Sequence, residues 1–315
     1  MKACEWSAWR PLRLAEAVPA RTLREQLDGG QAFRWEADAA GVWTGVFGRT
    51  VAGLRAGAVG LEWRGLAGAD GTEAALRRYL DAEGTQARLV EALPWRSDPV
   101  LQAALAANPG LRILRQDPHE TLIGFLCSSN KRILQIREMV ARLARSLGDP
   151  LAGGHHALPT WPQLATATDA QLKACALGYR AAFLRGTARR LLGRPKWAEE
   201  FAALSTADLL AELQALPGVG PKVAACVALF GFGRLESFPV DTWVVQALAG
   251  AYGFRGWLPA RLEEFGRAHY GAAAGLAQQY LFAAARGGVL PMPYAGMMEE
   301  PTPKRRPKSR ARRPR

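Results

Sequence analysis

Between residues 130 and 147 the apolar side chains Ile133, Ile136, Val140, Leu143 and Leu147 recur at steps of three and four. That spacing lays one apolar stripe along a helix, which Gly148 closes. The same reading places further helices at 169–176, 180–192, 197–203, 207–215, 221–231, 242–252, 259–269 and 274–286. Asp98-Pro99 and Asp117-Pro118 each read as an N-cap followed by proline in the first helical turn. Before about residue 66 the pattern differs. Phe33, Trp35, Val42, Trp43, Val46, Phe47, Val51, Leu54, Leu61 and Trp63 lie in short runs punctuated by glycines. Such runs predict a small antiparallel sheet. A helix over 72–83 follows, ended by Gly84. The chain is therefore α+β and mainly α, with its strands first and no internal repeat.

Composition narrows the class. Of 315 residues 49% are hydrophobic, enough for sizeable cores. The formal charge is +13, but the last twelve residues hold eight Lys or Arg and no acid. Without those eight the charge falls to +5. A basic body suits a polyanionic partner, either nucleic acid or an anionic membrane, or it is merely a solubilising surface. The segment from about 291 is rich in Pro, Lys and Arg and reads as a disordered tail. The membrane alternative is the weaker one, since the tail lacks apolar anchors. Cys4, Cys127, Cys175 and Cys226 are far apart and form no CxxC pair, so a disulfide framework or a metal cluster is not expected. There is no apolar signal stretch near the start, and the longest apolar run, Val223 to Gly233, is too short to span a bilayer. An intracellular protein is expected, in the cytoplasm or nucleoid of a bacterium or the nucleus of a eukaryote.

The most specific segment is Leu216-Pro217-Gly218-Val219-Gly220, a tight turn between two helices. Pro217 fixes one dihedral, and Gly218 and Gly220 permit positive φ. Pro221 opens the second helix. Free amides at such a turn can hold an anion at the positive end of the helix dipole, and a DNA phosphate would fit. An ordinary αα-hairpin is the plain alternative. Lys222 lies in that helix's first turn, where a cation is disfavoured. It either binds an anion, gives up its proton as an amine nucleophile must, or reaches out to solvent. Nineteen residues later, Asp241 stands as N-cap of the helix 242–252. A carboxylate there could also stabilise positive charge growing on a sugar as a glycosidic bond breaks, and a capping Asp should stay ionised.

LPGVGPKVA followed by FPVDTWV resembles the hairpin and Asp-bearing loop of the helix-hairpin-helix DNA glycosylases. Leu114-Arg115-Gln116-Asp117-Pro118, Phe125-Leu126-Cys127-Ser128-Ser129-Asn130, Leu177-Gly178-Tyr179-Arg180-Ala181 and Gly29-Gly30-Gln31-Ala32-Phe33-Arg34-Trp35 resemble the 8-oxoguanine branch. The resemblance covers roughly residues 12 to 286. It implies a small antiparallel β domain (1–97), a helical domain of two subdomains with a cleft between them (98–290) and the tail (291–315). It further implies a monomer that acts on double-stranded DNA containing an oxidised purine, without a cofactor or metal.

By the resemblance, the damaged base is flipped out of the duplex, Lys222 attacks C1′, a Schiff base forms and β-elimination cuts the strand, with Asp241 assisting. Phe282 and Cys226 would sandwich the flipped base and Gln278 would read its Watson–Crick edge. The Gly30 carbonyl would accept the N7 hydrogen that 8-oxoguanine has and guanine lacks. Asn130, Tyr179 and Arg180 would fill the gap and contact the opposite cytosine. Each has a plain alternative: Phe282 and Cys226 as core, Gly29-Gly30 as a turn, Asn130 as a helix cap. Gln135 replaces an arginine that contacts the opposite cytosine, and Trp243 replaces a phosphate-binding histidine. Lys131 and Arg132 add charge where the family has neutral amides. The rival functions are a glycosylase for another damaged purine and a DNA-binding module without catalysis.

Overall fold

The computed structural model describes residues 5–57, 60–66 and 68–292. Cys4 and the tail from 293 onward, read above as disordered, lie outside the described residues. Five antiparallel strands, β1 (Arg10–Pro11), β2 (Trp35–Ala37), β3 (Trp43–Phe47), β4 (Thr50–Gly57) and β5 (Gly60–Gly65), form one sheet in the order β1-β5-β4-β3-β2. Trp43 lies opposite Leu54, which lies opposite Trp63. These three and Trp35 turn to one face and pack on α2 (Thr72–Tyr79), where the Trp35 indole donates to Tyr79 Oη at 3.1 Å. Gly45 is glycine because a Cβ there would overlap the Trp35 ring of the neighbouring strand.

Three local readings in the first ninety residues differ from the structure. A helix, α1 (Ala20–Asp28), stands inside the stretch that reads as strand-rich. Leu23 and Leu27 are its buried apolar positions; Thr22 and Gln26 complete its buried face, too polar a stripe to recognise. The helix placed at 72–83 stops at Tyr79, and Gly84 does not end it. Gly84 instead starts α3 (Thr85–Ala92) from a left-handed conformation, φ 67°. Asp81 is the physical reason. Its carboxylate accepts from the Gln86 amide at 2.9 Å and pairs with Arg115, so it turns the chain between the helices.

The remaining helices are α4 (Pro99–Ala107), α5 (Pro118–Ser128), α6 (Ile133–Leu147), α7 (Trp161–Thr166), α8 (Asp169–Ala174), α9 (Arg180–Leu191), α10 (Trp197–Ala202), α11 (Thr206–Gln214), α12 (Pro221–Phe230), α13 (Thr242–Ala251), α14 (Pro259–Tyr270) and α15 (Ala274–Arg286). Asp98 and Asp117 cap α4 and α5 as their sequence context predicts, each accepting two backbone amides. The helices pack in two groups, α5 to α12 on one side and α4 with α13 to α15 on the other. One apolar core runs through both, and each fully buried Leu or Phe in it contributes about 1.5–3 kcal/mol.

Phe33, read as part of a strand, leaves the sheet and packs edge-on against Phe125 of α5, 5.4 Å between centroids. Beside it, Arg34 pairs with half-buried Glu120 at 2.7 Å, and the Gly48 amide donates to the same carboxylate at 3.0 Å. Burial pushes the Glu120 carboxyl up, and Arg34 holds it back. These contacts fasten the sheet to the helix that ends at Ser128. Among the described residues no helix is long and apolar enough to cross a membrane.

Candidate active site

The hairpin joins α11 to α12. At Gly218 φ is 81°, and a Cβ there would overlap the Phe183 ring of α9. Thr187, one turn further along α9, donates to Pro217 O at 3.0 Å, so α9 sets the shape of the turn. Gly220, expected to share the positive φ, is extended instead (φ −86°) and caps α12. A Cβ on Gly220 would meet nothing within 4 Å, so the backbone is open on that side. Not all three amides are free for an anion, because Val219 N already donates to Leu216 O at 3.1 Å. Among the described residues no backbone carbonyl accepts from the amide of Gly218 or Gly220.

Lys222 follows in the first turn of α12, half-buried. Its Nζ lies 3.5 Å from Ser128 Oγ and 5.2 Å from the centre of the Phe125 ring. The Ser128 hydroxyl donates to Phe125 O at 2.7 Å, which leaves its lone pairs facing the amine. Ser128 and Phe125 belong to a family-like motif that carries no role by itself, and no spacing rule links Ser128 to residue 222, 94 positions away.

Asp241 caps α13, accepting from Val244 N at 2.9 Å. Capping alone would hold a carboxyl low, yet the net shift is upward. Burial is the largest cause, and it outweighs Lys222, the amides of Val244 and Trp243, and Arg286. The expectation that a capping Asp simply stays ionised thus omitted the cost of burial. Cys226, one turn past Lys222, is buried. Burial and Asp241 push its thiol up to about 11 against the pull of Lys222. It is therefore a neutral wall and not a competing nucleophile.

The two helical groups meet here. Lys222 and Cys226 belong to α12, while Asp241 begins α13, and Gln278 and Phe282 lie one turn apart on α15, both buried. Gln278 Oε1 accepts from Gln279 Nε2 at 2.9 Å. Gly30, from the sheet side, has φ 103°. A Cβ there would sit 4.0 Å from Phe282 Cζ and 3.2 Å from Ile133 Cδ1, so a side chain would crowd Ile133 and strain the backbone beside the ring.

A second cluster gathers at the end of α5. Asn130 is exposed with φ 52°. It does not cap α6, whose N-cap position is Arg132. Tyr179 is 52% exposed, and its ring lies 4.4 Å beneath the Arg180 guanidinium. Arg180 is buried and its two terminal nitrogens are engaged, Nη1 by Leu177 O at 3.3 Å and Nη2 by Ser129 O and by Tyr179 Oη at 3.1 Å, while its Nε is buried without a partner. In this state it holds the carbonyl just before Asn130 and offers no free fork to a base. Gln135 is also engaged, its side-chain oxygen accepting from Arg132 N at 3.1 Å at the start of α6. Trp243 is half-buried in the first turn of α13, packed against the helical core. Cys127, Cys175 and Cys226 are free thiols. Among the described residues no group of three or more His, Cys, Asp or Glu side chains could hold a metal.

A small sheet on two helical groups, with a lysine just past a glycine hairpin and a capping aspartate within reach of its charge, is the fold class of the helix-hairpin-helix DNA glycosylases. A 3-methyladenine DNA glycosylase of Archaeoglobus fulgidus shares it at a TM-score of 0.69 over 89% of this chain and 98% of that one, with 17% identity. The 8-oxoguanine glycosylase/lyase of Clostridium acetobutylicum, solved with double-stranded DNA containing cytosine opposite 8-oxoguanine, superposes at a TM-score of 0.78. The match covers 84% of this chain and 92% of that one, at 30% identity. Residues 14–122 match the family model of the 8-oxoguanine DNA glycosylase N-terminal domain. The N-glycosylase/DNA lyase OGG1 of Arabidopsis thaliana is 35% identical over 295 residues, 88% of this chain and 80% of its own. The chain belongs to the 8-oxoguanine DNA glycosylase family.

Proposed function

We propose that the protein excises 8-oxoguanine from duplex DNA inside the cell and then cuts the strand, as a combined glycosylase and lyase of base excision repair. The observation that carries this reading is the amine of Lys222 at the junction of the two helical groups. It is oriented by Ser128 and feels the charge of Asp241. The lesion is swung out of the stack, since its C1′ is shielded inside the duplex. The Lys222 amine bonds to C1′ as the bond to the base breaks. Asp241 stabilises the positive charge that grows on the sugar. The resulting Schiff base acidifies the neighbouring C2′ proton, and its loss expels the 3′ phosphate.

Phe282 and Cys226 form the two faces of the base slot, and Gln278 reads the Watson–Crick edge. The Gly30 carbonyl accepts the N7 hydrogen of the lesion; against guanine it would face a second acceptor. Gly218 and Gly220 grip a phosphate through their amides, beside Trp243. Tyr179 and Asn130 enter the gap, with Arg180 and Gln135 below them. The test is a panel of duplexes bearing single lesions, with each of the four bases opposite. 8-Oxoguanine opposite cytosine should be cut faster than 3-methyladenine or an undamaged guanine. Preferential cutting of an alkylated purine would assign the slot to another lesion.

A further inference from the structure

We propose that Arg286 and Glu25, aided by Arg137 and Asp28, are positioning residues that fix the Gly30 carbonyl relative to the Phe282 ring and so set the recognition of the oxidised base. The inference rests on the reading of Gly30 as the group that senses N7.

Three oxygens gather at one nitrogen of Arg286. Its Nη1 lies 2.9 and 3.1 Å from the two Glu25 oxygens and 3.1 Å from Gly29 O. Glu25 lies in the last turn but one of α1, and Gly29 follows that helix. The same guanidinium carbon sits 5.6 Å from the centre of the Phe282 ring, one turn back along α15. One side chain therefore touches both walls of the proposed slot, the backbone wall at Gly29 and the aromatic wall at Phe282. On the other flank of the turn, Asp28 pairs with Arg137 of α6 at 2.6 Å.

The chain is held just as firmly beyond Gly30. Gln31 Oε1 accepts from Leu114 N at 2.9 Å, its Nε2 donates to Arg112 O at 2.9 Å, and Gln31 O accepts from Gln116 Nε2 at 2.7 Å. Gly30 is thus a single residue between two anchored neighbours. Gly29 O belongs to the peptide plane that enters Gly30. Holding that oxygen fixes the plane before Gly30, the Gln31 contacts hold the plane after it, and the Gly30 carbonyl belongs to that second plane, across a backbone with φ 103°.

Stability alone does not account for this arrangement. Partly exposed ion pairs add little to stability, and both pairs here are partly exposed. Burial even pushes the Glu25 carboxyl up, with Arg286 opposing it. Position is a more sensitive quantity. A recognition contact displaced by about 1 Å can cost a hundredfold in rate.

The test separates base recognition from strand chemistry. Glu25→Leu and Arg137→Met would be compared with the natural protein on two duplexes. One carries 8-oxoguanine opposite cytosine, and the other carries an abasic site that has no base to read. Single-turnover excision of 8-oxoguanine should fall about tenfold while cutting of the abasic strand stays within about twofold. Thermal melting should move little. Undiminished excision by both variants would overturn the proposal. So would a parallel loss on both duplexes accompanied by a lowered Tm, which marks a merely structural tie. If the natural protein cuts abasic DNA but leaves 8-oxoguanine in place, the reading of Gly30 itself fails, and the inference with it. Glu25→Leu is preferred over changes at Arg286, whose charge also reaches Asp241.

Discussion

Lys222 Nζ lies 3.5 Å from the hydroxyl of Ser128, and that hydroxyl spends its proton on Phe125 O. The amine thus faces an acceptor fixed by its own helix end, and not the carboxylate of Asp241 directly. Ser128→Ala would release it. Formation of the covalent enzyme–DNA intermediate should slow a few-fold, the worth of one hydrogen bond of about 1 kcal/mol. Stopped-time assays on 8-oxoguanine duplexes would check this. An unchanged rate would mean that Ser128 does not orient the nucleophile.

Asp241 combines a cap with a buried charge. Asp241→Asn keeps a good capping side chain and removes the ionised form that burial opposes. Excision should fall about a hundredfold, as when one preorganised electrostatic partner is lost. The linkage has a definite sign. The folded carboxyl titrates above its unfolded value, so the folded state binds the extra proton. Ionisation therefore costs stability as pH rises from the ordinary carboxylate range through the raised folded value, and above that the cost is complete. The Asn variant should be no less stable than the natural protein at neutral pH, and its relative advantage should vanish at acid pH. Activity of the natural protein should drop with acid at a pH above the ordinary carboxylate range. Melting curves across pH, with a rate profile, measure both.

The two hairpin glycines should respond differently. Gly218→Ala meets both a left-handed backbone and the Phe183 ring, and should cost about 1–3 kcal/mol or more of stability. Gly220→Ala has an allowed backbone and open space, so its melting point should hold. Its methyl group would stand where a phosphate approaches, and DNA binding should weaken with the fold intact. Equal melting points for the two variants would contradict this division.

At Gln135 a cap competes with a reader. Its carboxamide is tied to the Arg132 amide, and Arg180 is tied to Ser129 O. Discrimination against bases other than cytosine opposite the lesion should therefore be modest. Gln135→Arg should sharpen it by about 1–3 kcal/mol, the worth of one bidentate base contact, and should lose about 0.5–1 kcal/mol of capping. Excision rates with each opposite base would show both effects.

What could be read from the sequence follows range of interaction. Asp98, Asp117 and Asp241 cap their helices as expected, because a cap needs a residue and its next three amides and nothing more. The sheet-then-helix order was legible from periodicity. Helix α1 was not, since its inner face uses Thr22 and Gln26 beside two leucines. Lys222 and Asp241 stood out by local context and by likeness to a family. Ser128 beneath Lys222, and Arg286 on Gly29 and Glu25, depend on chain crossings of 94 and up to 261 residues. No local rule encodes those. Likewise, likeness to the family named Arg180 and Gln135 as contacts to the opposite base, while the fold ties the Arg180 terminal nitrogens and the Gln135 side-chain oxygen to the protein's own backbone and to Tyr179.

The central claim is a bond between one amine and one sugar carbon. Borohydride added during the reaction with 8-oxoguanine opposite cytosine should freeze a protein–DNA adduct, and peptide mapping should place it on Lys222. Lys222→Gln should bind the same duplex and give neither adduct nor cut strand. An adduct on another residue, or strand cutting that survives in the Gln variant, would contradict the account.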